Sequence, residues 1–297
     1  MKEYTLSQQF AIVGLDGLEV LHMSAAKSAV LRAISAAQLL DDVLSKEYDP
    51  AGLKEAWADG LSRVRNLKKK EAQSLEKAFA EVLEADGVLE EVPDLLGCDM
   101  NYYTSGVDIK AYRSDKELFT GITERVRAEI LEEGPVTREC ISLLWLFRES
   151  GCLHDIFSVS EQSIIERRML ELACGDEFCS LLWTSEFHSA LENAIGTLLQ
   201  GKSSLFRNPY LEGVNLIFPF LDRRRAIFVD YVIFGTNVQG RRLAMINFLS
   251  ERGHYVEEVK NGEETILKID NAYYRVWPMT KSCLLPIQGA NLVPVYM

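Results

Sequence analysis

The chain has 297 residues, of which 47% are hydrophobic and 26% charged, and its formal net charge is −12. That length buries one large core or two ordinary ones, while the acidity disfavours general nucleic-acid binding, which needs a basic face against phosphates. Six cysteines with no C-x-x-C pair and four histidines with no metal-ligand spacing disfavour a metal site and fit a reducing compartment.

The amino terminus, MKEYTLSQQF, lacks the basic start and apolar middle of a secretory signal, and no apolar run approaches the roughly 18 residues that cross a bilayer. A cytoplasmic chain is expected, at most lying on the cytoplasmic face of a membrane. Charge is uneven: residues 1–200 carry 20 basic and 35 acidic side chains, whereas residues 201–297 carry 12 and 9.

Thr5 followed by Gln8 is a capping-box pattern that predicts a helix through LSQQFAIVGL, stopped at Asp16-Gly17. Ser24 caps a second helix, AAKSAVLRAISAAQLLDDVL, with Val30, Ile34, Leu39 and Val43 at helical spacing. Asp49-Pro50 reads as a cap followed by a first-turn proline. A longer helix runs through KKKEAQSLEKAFAEVLEADG, with Leu75, Phe79, Val82 and Leu83 on one face and Gly87 at its end. The stretch from Gly87 to Asp115 holds Pro93, Gly97 and Gly106 among aromatic and β-branched runs, and predicts a β-hairpin or protruding loop.

Asp115 restarts helix as far as Gly134-Pro135. A helix near 137–149 ends at Gly151, a short one closes on Phe157, Ser160 caps EQSIIERRMLELA, and residues 177–200 supply one more helix. From 201 the pattern turns to strands in GVNLIFPF and RAIFVDYVIFG, then a helix over 240–252, then two or three strands with an Asn261-Gly262 turn. The expected fold is therefore mainly α: a helical domain over 1–200 with a projecting β-hairpin, and an α+β region over 201–297 whose helix-then-hairpin order is that of a winged helix. The boundary falls in QGKSSLFRNPYLEG.

Few residues carry chemistry. Cys152, His154 and Asp155 cluster locally, but neighbours two apart on a helix point to different sides, and cysteine-nucleophile partners are normally distant in sequence, so structure is the favoured reading. No phosphate-cradling glycine loop, H-E-x-x-H or G-x-S-x-G occurs. No enzyme activity and no cofactor is expected. The basic clusters Lys68–Lys70, Arg167-Arg168, Arg223–Arg225 and Arg241-Arg242 are either solvated faces or points of attraction to anionic lipid. Tyr102 and Tyr103, with Leu95 and Leu96, form either a membrane-dipping tip or a surface packed on the helices beneath.

In order of parts the chain resembles the Golgi phosphoprotein 3 family of lipid-binding adaptors and their bacterial relatives. The resemblance spans about residues 4–175. It is carried by YTLSQQFAIVGLDG, AVLRAISAAQLL, EVLEADGVLEEV and, above all, RECISLLWLFRESGCLHDIFSVSEQSIIERRMLEL.

It implies a helical domain, a hairpin for membrane contact or self-association (Leu95, Leu96, Tyr102, Tyr103), and a basic pocket for phosphatidylinositol 4-phosphate. Arg32 matches the pocket arginine of the second helix. The family's tryptophan falls on Met23, and its arginine pair falls on Gln73 and Glu76; Arg63 and Arg65 lie upstream as substitutes if the helix is displaced. The expectation is a non-enzymatic peripheral module for anionic phospholipid headgroups. The alternatives are a protein-interaction scaffold or homo-oligomer working through the hairpin and, below both, DNA binding by the carboxy-terminal region.

Overall fold

The computed structural model describes residues 3–46, 50–103, 106, 108–187, 224, 226–230, 238–261, 265–282 and 286–295. The expected helix over 177–200 is seen as Glu177–Trp183. Residues 188–223, which hold the rest of that expected helix, the proposed domain boundary, the strand GVNLIFPF and Arg223, lie outside the described residues, as do Arg225 and Gly262.

Local rules set most of the helices. In α1 (Leu6–Leu15) the Thr5 hydroxyl accepts from the Gln8 N–H and the Gln8 side chain accepts from the Thr5 N–H, a reciprocal box that satisfies two otherwise orphaned donors. Ser24 caps α2 (Ala25–Leu44) through the Lys27 N–H. Helices α3 (Pro50–Arg65) and α4 (Lys69–Ala85) follow. A Cβ on Gly60 would lie 2.4 Å from Leu39, so this glycine is what lets α3 approach α2 closely. Further on come α6 (Lys116–Leu131), α7 (Arg138–Ser150), α8 (Leu153–Ile156), α9 (Val159–Ala173) and α10 (Glu177–Trp183). Gly151 ends α7 at φ +78°, a left-handed position that costs glycine little. The cap of α9 is Ser158 and not Ser160, because Ser158 and Glu161 form the capping box.

Helix α7 is the hub. Every residue from Cys140 to Phe147 is buried, as expected of a helix apolar on all sides. Trp145 sits at its centre with Trp57 and Phe187 edge-on to its ring, and its indole N–H donates to the Ser185 carbonyl.

Strands β1 (Leu89–Pro93) and β2 (Lys110–Ser114) pair antiparallel, with Leu89 opposite Ser114. Between them lie a 3-10 turn (Leu95–Cys98) and α5 (Met100–Tyr103). A second, five-stranded antiparallel sheet is ordered β3-β7-β6-β5-β4, from β3 (Ile227–Asp230), β4 (Val256–Asn261), β5 (Thr265–Ile269), β6 (Ala272–Ser282) and β7 (Pro286–Val295). Helix α11 (Val238–Ser250) packs on it through Met245 and Leu249. Five strands exceed a two-stranded wing, so the winged-helix order accounts for only part of this region. The chain is thus a predominantly helical first part joined to a sheet-rich second part.

Contrary to expectation, Leu95, Leu96 and Tyr102 do not form a projecting hairpin tip. Leu96 and Cys98 are buried in the same core as Ile227, Val229, Met245, Leu249, Leu267 and Leu292, with Leu95 and Tyr102 packed against it. Leu95, Leu96, Cys98 and Tyr102 are covered because the carboxy-terminal sheet offers them a matching apolar face, and burying apolar area is worth about 25 cal/mol per Å². The side chain of Tyr103 lies outside the described residues.

Candidate functional site

The position expected to hold an arginine pair holds something else. Gln73 is exposed, whereas Glu76 is buried on α4 and pairs with the buried Lys27 of α2 at 2.6 Å. The lysine also donates to the Glu19 and Val20 carbonyls at 2.8 and 2.6 Å, and the Tyr112 hydroxyl donates to Glu76 at 3.1 Å. Burial first, then the Glu76 charge and hydrogen bond, pushes the Tyr112 phenol up from its ordinary value. All three ammonium protons have acceptors, so the pair is an internal strut joining α2, α4, β2 and the α1–α2 loop. It leaves no free cation for a phosphate there.

Beside it a cavity of about 400 Å³ opens between the α1–α2 loop, the β1–β2 hairpin and the carboxy-terminal sheet; Met23, Ser24, Leu95 and Tyr274 are among its walls. Its charged lining is Asp16, Glu19, Asp94 and Asp270 against Arg113 and Arg224. Both arginines are committed. Arg113 donates to Glu90 (2.9 Å), Asp270 (3.0 Å) and the Gly253 carbonyl (2.9 Å), and its guanidinium lies over the Tyr255 ring. Arg224 pairs with Asp16 at 3.4 Å and with Asp155 at 3.8 Å.

Asp16 further accepts from the Ser114 N–H and the Asn271 side chain, both at 2.9 Å. Burial pushes its carboxyl above the ordinary range, and these donors with Arg224 only partly offset that. Burial also acts on Asp270, but the hydrogen bond and charge of His254, the Tyr255 N–H and Arg113 outweigh it and hold that carboxyl below the usual value. Among the described residues the lining thus sets four carboxyl groups against two arginines, the wrong balance for a headgroup phosphate.

Of the residues singled out in the sequence, Arg32 is half-buried on α2 and does not line this cavity. Arg63 is exposed at the end of α3; Arg65 is exposed too, and its Nε donates to the Glu186 carbonyl at 2.9 Å. The corner from α3 into α4 continues with Lys68, Lys69 and Lys70, all exposed. Glu71, the one acid in that stretch, is turned back to accept the Lys68 N–H at 2.9 Å. Five cations thus share one solvent-facing corner.

Cys152 is buried in the helical core while His154 is exposed, so the thiol and the imidazole face different surroundings. Burial pushes the Cys98 and Cys140 thiols up to about 12, which leaves them unreactive at neutral pH. Among the described residues no three His, Cys, Asp or Glu converge as metal ligands, and no helix is long and apolar enough to cross a membrane.

Arg113, His254 and the Asp270-Asn271 turn were not singled out by sequence. The signal for the turn is a two-residue connection between the strand-like ILKI and AYYRV, which demands positive φ; Asp270 adopts +53°. Compared with protein-family models, with curated proteins and with solved structures, the chain matches none.

Proposed function

We propose that the protein is a non-enzymatic module that binds anionic phospholipid surfaces through the α3–α4 corner and not through a deep headgroup pocket. The observation that supports this reading is the exposed set Arg63, Arg65, Lys68, Lys69 and Lys70, which outnumbers the acids beside it, Glu71 and Glu186. Each basic residue near an anionic leaflet is worth about 1 kcal/mol. The fold order resembles that of Golgi phosphoprotein 3 adaptors, but the pocket positions Met23, Gln73 and Glu76 and the acidic cavity favour an electrostatic surface over recognition of one phosphoinositide.

The test is vesicle sedimentation of the full chain with phosphatidylcholine alone and with phosphatidylserine or phosphatidylinositol 4-phosphate added. Binding should need an anionic lipid, weaken with salt, and fall roughly a hundredfold in Lys68→Gln/Lys69→Gln/Lys70→Gln, about 3 kcal/mol at 1 kcal/mol per charge. Arg32→Ala should change it little. Equal binding to neutral and anionic vesicles, or no effect of the triple variant, rejects the reading. DNA binding has less support, since Arg242 is paired with Glu258 at 2.7 Å and Arg252 stacks on Phe248.

A further inference from the structure

We propose that the outer face of α9 is a contact between two copies of this chain, paired antiparallel about a twofold axis that passes between Glu166 and Arg167. The inference is independent of the lipid-binding reading and concerns self-association alone.

The helix is described along all of its 15 residues, a length of about 22 Å. It packs against α6, α8 and α10 and buries Ile165 and Met169. On the side away from those two residues, steps of three and four bring Val159, Ser163, Glu166, Leu170 and Cys174 into one line, with Arg167 beside Glu166. All six are exposed, Val159 to 66% and Leu170 to 53%. Arg168 donates to the Ile130, Glu132 and Gly134 carbonyls and so closes the end of α6. Glu166, Arg167 and the neighbouring Glu171, by contrast, make no ion pair among the described residues.

The order of these residues is self-complementary. An antiparallel twofold sets Glu166 against the partner's Arg167 and Arg167 against the partner's Glu166, with Ser163 against the partner's Leu170 and Val159 against the partner's Cys174, each contact occurring twice. A parallel pair would instead set Glu166 on the partner's Glu166. Charge reciprocity of this kind points to a second copy over an unrelated protein. An anionic lipid surface fits worse, because Glu166 stands in the middle of the line and Glu171 beside it. One helix face of about 22 Å gives less than the roughly 1,200 Å² of a standard interface, so the pair is weak and concentration-dependent.

The experiment is sedimentation equilibrium of the full chain over a concentration series. A monomer–dimer equilibrium is expected. Glu166→Arg alone and Arg167→Glu alone each turn two attractions into two repulsions and should weaken pairing roughly tenfold, with an unchanged thermal unfolding midpoint because both positions are exposed. The swap Glu166→Arg/Arg167→Glu should restore pairing, and mixing the two single variants should give a heterodimer. Register is read separately: a short bismaleimide should join two copies of Val159→Cys through the partner's Cys174, and adding Cys174→Ser should abolish that product. A chain that stays monomeric throughout and yields no product dependent on Cys174 overturns the proposal. Dimers that survive both single variants unchanged also overturn it, since another surface then joins the copies. Failure of the swap to restore pairing overturns the antiparallel register. None of these outcomes touches the vesicle result.

Discussion

The two hairpins make an instructive pair. β1–β2 ends in an apolar tip, Leu95, Leu96, Cys98 and Tyr102, and is buried under the carboxy-terminal sheet; β6–β7 carries Trp277 and Met279 and leaves them in solvent. Apolar content does not separate them. The difference lies in what packs against those side chains: the carboxy-terminal sheet covers Leu96 and Cys98, while Trp277 and Met279 stay exposed.

The comparison can be broken hardest at the base of the first hairpin. Glu76→Ala strands Lys27 as an unpaired buried charge and frees the Tyr112 hydroxyl, so it should cost about 3–5 kcal/mol in chemical denaturation. The double change Lys27→Met/Glu76→Met should recover much of that loss. At the tip, Leu96→Ala should cost about 2–4 kcal/mol and raise hydrogen exchange in β5 and β6, which a free hairpin would leave untouched. For the second hairpin, Gly289→Ala tests how closely β3 is held: an added Cβ would lie 2.3 Å from the Val229 carbonyl oxygen and 2.7 Å from the Phe228 ring. About 1–3 kcal/mol and faster exchange over Ile227–Asp230 are expected.

Acid titration addresses the joint between the two regions, and its two carboxylates act in opposite senses. Asp270 is depressed when folded, so its contribution is present above its unfolded value near 3.8 and is lost as pH falls through the lower folded value. Asp270→Asn should remove that part of the acid limb. Asp16 is raised, so its contribution is greatest at low pH and declines as pH climbs from about 3.8 through the folded value. Asp16→Asn should flatten that decline. The smallest effect is expected on β6, where Trp277→Ser should shift stability by no more than about 0.5 kcal/mol.

What sequence reveals here follows the range of each interaction. The Thr5–Gln8 box, the Ser24 cap and the Gly151 stop are set by residues within a turn of one another, and all three are found where the pattern puts them. The basic corner is legible for the same reason, since Arg63, Arg65 and Lys68–Lys70 fall within eight residues of the chain. The Lys27–Glu76 strut, the Arg113–Asp270 clasp and the burial of Leu96 join residues far apart in sequence, where periodicity and capping carry no information. Glu76 is the sharpest case: on an amphipathic helix it reads as a solvated acid, and only the arrival of Lys27 and Tyr112 makes it internal.

The shared core of Leu96, Cys98 and the late strands also bears on synthesis. Leu292 leaves the ribosome 190 residues after Tyr102, which at about 5–20 residues per second means a delay of roughly 10–40 s. Throughout that interval the helical portion is free to fold while its greasy tip has nothing to sit against. Nascent chains of this protein should therefore engage holding chaperones late, and premature termination after the helices should yield aggregates even though the helical core itself is complete.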